Sequence, residues 1–275
     1  MGYVLPGLAA IFGRIIIYKE RLHMTNVEKQ KRENDILLGF LERPALKWLA
    51  AHLPEWVTPD ILTWIGIGAS VLIFVSYILT NVNPNFLWLA SFGFVLNWFG
   101  DSLDGTVARY RQIERPRYGF LVDHWVDAVS AVLIFVGLGI SPYVDIVVAL
   151  LGVIAYLLVS IMVYLITYVT GVFTMTSAKI GPTEIRLLAI LSNTAIFIIG
   201  DFNFQLPLVG TTSFYTLIVG ALALAMFLYF MINTGIQARR LALLDGKRLE
   251  RKLAQRDGQK DVQPLNNAEA PVNDG

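Results

Sequence analysis

Apolar residues are concentrated in six stretches of this chain, each long enough, or nearly so, to cross a bilayer as an α-helix. The stretches occupy residues 61–80, 85–107, 118–140, 142–169, 185–200 and 214–236. The fourth is longer than a bilayer requires, so we expect it to tilt or to project beyond the membrane. The pattern predicts an all-α integral membrane protein with six transmembrane helices.

A shorter amphipathic segment, residues 41–57, precedes the first apolar stretch. If this segment is helical, one face carries mainly apolar side chains: Leu41, Ala45, Trp48, Leu49, His52, Leu53 and Trp56. Lys47 and Glu55 fall outside that face. The pattern favours a helix that lies flat in the membrane interface, and an ordinary soluble amphipathic helix is the alternative.

The two ends of the chain are predicted to lie outside the membrane. Residues 1–40 form an N-terminal cytoplasmic segment in this interpretation, and both Met1 and Met24 fit as the initiating residue. Residues 239–275 are predicted to form a basic helix followed by a disordered tail. Residues 58–238, between these ends, hold the six apolar stretches and form the transmembrane domain.

Lysine and arginine are distributed unevenly between the loops. Residues 81–85, 141–145 and 201–212 contain neither. The loops on the other side contain six: Arg109, Arg111, Arg115, Arg117, Lys179 and Arg186. Because positive charge accumulates on the cytoplasmic side of membrane proteins, this asymmetry predicts that both termini and the even-numbered loops face the cytoplasm.

Composition narrows the class of protein further. The chain is 55% hydrophobic and only 16% charged, which is far from the values of a soluble domain. It contains no cysteine, so disulfides, zinc–thiolate sites and thiol nucleophiles are excluded. We expect the membrane and small ligands as partners, and no nucleic acid.

Four aspartates interrupt the second and third apolar stretches: Asp101, Asp104, Asp123 and Asp127. Their spacings of three and four residues place each pair on one face of its helix, and the short connection predicts antiparallel neighbouring helices. At a rise of ~1.5 Å per residue, Asp101 lies ~24 Å from the outer end of its helix, and Asp123 and Asp127 lie ~8 and ~14 Å from the cytoplasmic end of theirs. The four carboxylates are therefore predicted to converge just inside the cytoplasmic boundary.

Converging carboxylates in an apolar environment need either protons or cations to offset their charge. Oxygen ligands favour Mg²⁺ or Mn²⁺, and two such ions suit the stabilisation of a transferring phosphoryl group. A metal-dependent phosphate site is the interpretation that we favour from spacing. A proton relay or a cation transporter that uses the buried aspartates is the alternative.

Small and basic residues near the aspartates fit a phosphate ligand. Gly105 and Ala108 would let a bulky ligand approach the helix, Arg109 could hold a phosphate, and Gly119 would allow a close approach of a helix or a substrate. The structural alternative is that the small residues only permit tight helix packing and that Arg109 only sets the topology. Both interpretations stay open on spacing alone.

A second basic cluster, KIGPTEIR, covers residues 179–186 at the start of the fifth apolar stretch. In a functional interpretation, Lys179 and Arg186 bind an anionic group of a substrate. In a structural interpretation, Pro182 and Glu184 simply begin a helix, where proline and acidic residues are favourable.

The aspartates and their neighbours form a recognisable string. The residues DSLDGTVAR followed by GFLVDHWVD resemble the signature D-x2-D-G-x2-A-R…G-x3-D-x3-D of the CDP-alcohol phosphotransferase family. All eight specified residues are present in order: Asp101, Asp104, Gly105, Ala108, Arg109, Gly119, Asp123 and Asp127. Nine residues separate Arg109 from Gly119, where the family usually has about eight; the six-helix topology also fits.

The resemblance implies a reaction, in which a substituted phosphate passes from a CDP-linked alcohol to a second alcohol and CMP is released. By the same resemblance, Asp101, Asp104 and Asp123 would ligate two Mg²⁺ or Mn²⁺ ions. Asp127 would lie near the metals and act as general base on the acceptor hydroxyl. Gly105, Ala108 and Arg109 would contact the cytidine diphosphate, and the protein is expected to be a homodimer.

The resemblance leaves two substrate classes open. Residues VDHWVDA look similar to the FDHGxDA string of choline and ethanolamine phosphotransferases, which transfer from a CDP-aminoalcohol to diacylglycerol, although Trp125 replaces the glycine. The other branch uses CDP-diacylglycerol with a small polar acceptor. Besides transport, a catalytically silent scaffold is the remaining alternative, but it would be expected to have lost at least one aspartate.

Overall fold

A computed structural model of the chain describes residues 39–170, 182–206 and 210–262. In this part the chain forms seven α-helices and one β-hairpin. The helices are α1 (Gly39–His52), α2 (Pro59–Leu79), α3 (Phe86–Tyr110), α4 (Pro116–Ile140), α5 (Ile146–Thr170), α6 (Pro182–Ile199) and α7 (Phe214–Val262). Strands β1 (Asn203–Leu206) and β2 (Gly210–Ser213) form the hairpin. The predictions for residues 1–38, for Lys179 and for the tail from residue 263 lie outside the described residues.

The all-α membrane fold predicted from the apolar pattern is confirmed. Helices α2, α4, α5, α6 and α7 are long and apolar enough to cross a membrane. Helix α3 has 25 residues, but the polar side chains in its second half, among them Asn97 and Asp101, lower its mean hydropathy. The count of six spans is therefore approximate.

Local side-chain contacts fix where several helices begin. Thr58 precedes α2 and its hydroxyl accepts a hydrogen bond from the backbone N–H of Ile61, with Pro59 in the first turn. Asp145 caps α5, since its Oδ1 accepts from the N–H groups of Val147 and Val148. The fourth span therefore begins at Ile146, and the predicted start at residue 142 was wrong because residues 141–145 form a turn.

Helix α1 has two apolar faces where the sequence indicated one. Leu46 and Ala50 are buried against the rest of the protein, and Leu49 and Leu53 pack partly beside them. Most of the predicted face is exposed instead: Leu41, Ala45, Trp48, His52 and Trp56. The helix ends at His52, before Trp56. The exposed apolar face suits contact with the membrane, which stays a prediction for α1.

Helix α2 is the central element, because it packs against both α3 and α4. Helix α3 also contacts α1 and α6, and α5 packs on α4. Two clusters of buried apolar residues lie at opposite ends of α3. One contains Leu87 and Phe94, and the other contains Leu103 and Val107, next to Asp104.

The backbones of α2 and α3 approach one another closely immediately before Asp101. A Cβ atom at Gly100 would lie 2.5 Å from the backbone nitrogen of Gly66 and 2.6 Å from the carbonyl oxygen of Leu62. Only glycine lets the two backbones approach this closely. The position of Asp101 relative to α2 therefore depends on Gly100.

Gly100→Ala is expected to lower the free energy of unfolding by about 1–3 kcal/mol, because the new methyl group forces α2 and α3 apart. Gly68→Ala in α2 is the control, since a Cβ there meets nothing within 4 Å. It should leave stability unchanged or raise it by about 0.5–1 kcal/mol through helix propensity. Thermal unfolding in detergent compares the two, and equal stability of both variants would contradict the close contact.

By its internal contacts, the chain divides after Phe227 into two compact units. The first contains α1 to α6, the hairpin and the start of α7. The second contains the rest of α7, which is helical through the predicted basic segment to Val262.

Candidate active site

The four aspartates lie on two helices that α2 holds in place. Asp101 and Asp104 are on α3, and Asp123 and Asp127 are on α4. The sequence predicted that α3 and α4 are direct neighbours, but each of them packs mainly against α2. The relative position of α3 and α4 is therefore set mainly by their common contact with α2.

The four carboxylates nevertheless form one electrostatic cluster. The charges of Asp101, Asp104 and Asp123 all act on the carboxyl group of Asp127. Asp104 in turn interacts with Asp101 and Asp123. The spacing of the aspartates predicted this convergence, and in the structure the four carboxylates lie close enough to interact electrostatically.

Arg186 of α6 contributes a positive charge within the cluster. Its Nη2 donates to Oδ2 of Asp101 at 2.6 Å, and its Nε donates to Oδ1 of Asn97 at 2.7 Å. The side chains of Arg186 and Asp101 are only 12% and 17% exposed. Among the described residues, the buried Nη1 of Arg186 has no hydrogen-bond partner, so this nitrogen could donate to a ligand.

A polar network beneath the cluster joins α2, α3 and α4. Asn97 donates through Nδ2 to the carbonyl of Gly66 and to the hydroxyl of Ser70, at 3.1 and 3.0 Å. Ser70 donates to Ser130 of α4 at 2.8 Å. Asn97 therefore fixes its own Oδ1 toward Arg186. Sequence reasoning missed this residue, although a lone asparagine in an apolar stretch, four residues before Asp101, was a usable signal.

Asp104 is held by a different helix. The hydroxyl of Thr63 in α2 donates to Oδ2 of Asp104 at 2.7 Å. Nothing in the sequence pointed to Thr63, because its relation to Asp104 depends on how α2 and α3 pack.

The two predicted nucleotide-binding glycines differ in the space beside them. In the part of the chain that the structure describes, a Cβ atom at Gly119 would meet nothing within 4 Å. At Gly105 the nearest atom is Nη1 of Arg109, at 3.2 Å. The exposed Arg109 side chain bonds to Thr106 on its own helix. Tight helix packing therefore does not explain Gly105 or Gly119. Ala108 is half-buried beside them.

Aromatic side chains surround the α4 half of the cluster. The ring of His124 lies 4.0 Å from that of Phe120 and 4.6 Å from that of Tyr164, measured between centroids. Nδ1 of His124 is 3.5 Å from a carboxylate oxygen of Asp123. Sequence reasoning assigned none of these aromatic residues to the site.

The donor chemistry of the cluster fits a hard divalent cation, since four carboxylates are available. Within the described ranges, no three carboxylate or imidazole groups are arranged to hold a metal ion as they stand. Asp101 is turned toward Arg186 and Asp104 toward Thr63. Metal binding would therefore require these aspartates to exchange protein donors for the ion.

Comparison with known proteins gives a consistent result. The sequence model of the CDP-alcohol phosphatidyltransferase family matches residues 56–229. Cholinephosphotransferase 1 of Danio rerio is 26% identical over 206 residues, which are 69% of this chain and 53% of that protein. The Gallus gallus protein of the same name is 26% identical over 208 residues, covering 70% and 61%.

A bacterial relative matches a shorter region. Phosphatidylinositol phosphate synthase of Cutibacterium acnes is 33% identical over 91 residues, which are 33% of this chain and 41% of that protein. The chain thus spans little more than half the length of the cholinephosphotransferases that it matches.

Proposed function

Because the chain belongs to the CDP-alcohol phosphatidyltransferase family, we propose that it transfers a substituted phosphate from a CDP-linked alcohol to an acceptor alcohol in phospholipid biosynthesis. The observation that carries the proposal is the meeting of the four motif aspartates with Arg186 in one cluster. A buried arginine whose Nη1 meets no acceptor among the described residues, next to carboxylates, suits a phosphate bound together with divalent cations.

The reaction needs one bond to form and one to break at phosphorus. The acceptor oxygen bonds to the phosphorus that carries the donor alcohol, and the bond from that phosphorus to CMP breaks. Asp127 takes the proton from the acceptor hydroxyl. Asp101, Asp104 and Asp123, with Asp127 close by, would hold two Mg²⁺ or Mn²⁺ ions, which supply positive charge to the transferring phosphate and the leaving CMP.

The remaining residues bind and orient the donor in this proposal. Gly119 provides room beside α4 among the described residues. At Gly105 the side chain of Arg109 lies close by and would move aside for the donor, and Ala108 is a further small residue on this part of α3. Arg109 binds a phosphate of the cytidine diphosphate, while Nη1 of Arg186 donates to the transferring phosphate. Lys179, outside the described residues, is a further anion-binding candidate.

The longer matches are to cholinephosphotransferases, so a CDP-aminoalcohol donor with a diacylglycerol-type acceptor is the first substrate class proposed. CDP-diacylglycerol with a small polar acceptor is the second, because a phosphatidylinositol phosphate synthase also matches. From the distribution of lysine and arginine we place the site and both termini on the cytoplasmic side. A homodimer remains a prediction from the family resemblance.

CMP release from the purified protein in detergent tests the proposal. Both donor classes are supplied with matching acceptors, first after EDTA treatment and then with Mg²⁺ or Mn²⁺ restored. We expect release to fall below about 1% on chelation and to recover with either ion, since the metals neutralise the developing charge. Electron paramagnetic resonance of Mn²⁺ measures metal binding independently of turnover.

Two results would contradict this proposal. CMP release that is unaffected by EDTA would remove the metals from the mechanism. Absence of release from every donor and acceptor combination, together with no binding of CDP-alcohols by the folded protein, would favour transport through the same aspartates.

A further inference from the structure

Apart from the aspartate cluster, one carboxylate oxygen joins three helices. Glu42 lies in the first turn of α1. Its Oε1 accepts a hydrogen bond from Nε1 of Trp98 on α3 and another from Oγ1 of Thr183 on α6, both at 2.8 Å. Glu42 therefore binds α1 to α3 and α6 at the same time.

Both donors lie next to the residues that hold Arg186. Trp98 follows Asn97, which accepts a hydrogen bond from Arg186. Thr183 is three residues before Arg186, so the two side chains lie on the same side of α6. Helices α3 and α6 are thus joined twice within about one helical turn, directly through Arg186 and indirectly through Glu42.

Within the described residues, the apolar packing of α6 begins about one turn beyond Arg186, where the partly buried Ala189 and Ile190 pack against the core. The buried residues of α6 are Asn193 and Ile196, which lie two turns or more beyond Arg186. Its main helix contact within the described residues is with α3. Before Ala189, the contacts of α6 to α3 and α1 that the described residues show are the polar ones of Thr183 and Arg186.

We propose that Glu42 is a positioning residue of the transferase, which holds the N-terminal end of α6, and with it Arg186, against α3. The inference rests on the proposed function, because Arg186 is given its phosphate-binding role there. It makes α1 part of the scaffold of the active site. Since Trp48 on the other face of α1 is 61% exposed, the helix that would contact lipid is the same helix that positions Arg186.

The variants Glu42→Gln and Glu42→Leu test whether the hydrogen bonds of residue 42 matter, or only the space that its side chain fills. Glutamine keeps an Oε1 that can accept both bonds, so we expect kcat/KM within about twofold of wild type. Leucine keeps a similar volume and removes the acceptor, and we expect kcat/KM to fall about 10–30-fold, mainly through KM for the CDP donor. Thr183→Val removes one donor and should lower kcat/KM by less than Glu42→Leu does.

The exposed carboxylate of Glu55 provides the control, and Glu55→Leu should keep kcat/KM within about twofold of wild type.

A distance measurement makes the test independent of turnover. The chain has no cysteine, so Lys47→Cys on α1 and Leu187→Cys on α6, both exposed, can carry spin labels. Pulsed electron–electron double resonance between the two labels should give a narrow distance distribution when residue 42 is Glu or Gln. In the labelled Glu42→Leu variant the distribution should be broad. This result is readable even if wild type releases no CMP, a failure that would concern the proposed function alone. Loss of activity in Glu42→Leu with an unchanged distribution, or a broad distribution with unchanged activity, would overturn the positioning role.

Discussion

Asp127→Asn is expected to reduce CMP release by about 10³-fold, which is the contribution of a well-placed general base. Asparagine has almost the same shape and can still accept a hydrogen bond, but it cannot take the proton of the acceptor hydroxyl. The loss should therefore appear in kcat, whereas calorimetry should show that the CDP donor still binds. Because Asp127 is also proposed to lie near the metals, activity is measured at rising Mg²⁺, and saturation should not restore it.

Asp145→Asn is the matched control for this substitution. Asp145 lies beyond the C-terminal end of α4, whereas Asp127 is near the middle of that helix, and Asp145 caps α5. Asparagine also caps helices well. CMP release should therefore change by less than about twofold, and the free energy of unfolding by less than about 0.5 kcal/mol. If Asp127→Asn kept more than about a tenth of wild-type release, another group would have to accept the proton.

Arg186→Met is expected to lower kcat/KM by about 100-fold and the free energy of unfolding by about 3 kcal/mol. The substitution leaves the carboxylate of Asp101 and Oδ1 of Asn97 without the donor that holds them in this structure. Arg186→Lys keeps the positive charge but loses the planar guanidinium, which can donate to two acceptors at once. We therefore expect kcat/KM and the free energy of unfolding to lie between those of wild type and Arg186→Met. Thermal unfolding and CMP release are measured on the same preparations.

Two further variants separate stability from activity at Arg186. Arg115→Met removes an ion pair with Asp60 in which both side chains are about half exposed, and it should change the free energy of unfolding by less than about 1 kcal/mol.

The double variant Arg186→Met with Asp101→Asn removes both charges of the buried pair. It should regain stability without regaining activity. Equal effects of Arg186→Met and Arg115→Met would show that the buried pair has no special role.

Much of the membrane fold could be predicted from the sequence, because the signals are local. The starts of α2, α4, α6 and α7 lie within three residues of the predicted ones. Two differences come from side chains that act on the nearby backbone. Asp145 caps α5 four residues later than the apolar pattern suggested, and the loop after α6 pairs Asn203 with Ser213 in a hairpin whose short strands give little signal.

The sequence predicted those parts of the candidate site that depend on residues of a single helix. Spacings of three and four residues put Asp101 with Asp104, and Asp123 with Asp127, on common helix faces. The motif around them supplied the chemistry and the family. The same spacing said nothing about Thr63 or Asn97, because hydroxyl and amide side chains in an apolar helix acquire a role only from the helix that faces them.

The sequence by itself determined the apolar helices, the aspartate faces and the signature string, since each depends on residues within a few turns of one another. Only the tertiary structure decided that α2 holds α3 and α4, that Arg186 reaches Asp101 across 85 positions of the chain, and that Glu42 joins α1 to Trp98 and Thr183. Helical periodicity specifies which side chains share a face. Which helix meets that face is set by the packing of all the helices together, such as the glycine contact between α2 and α3.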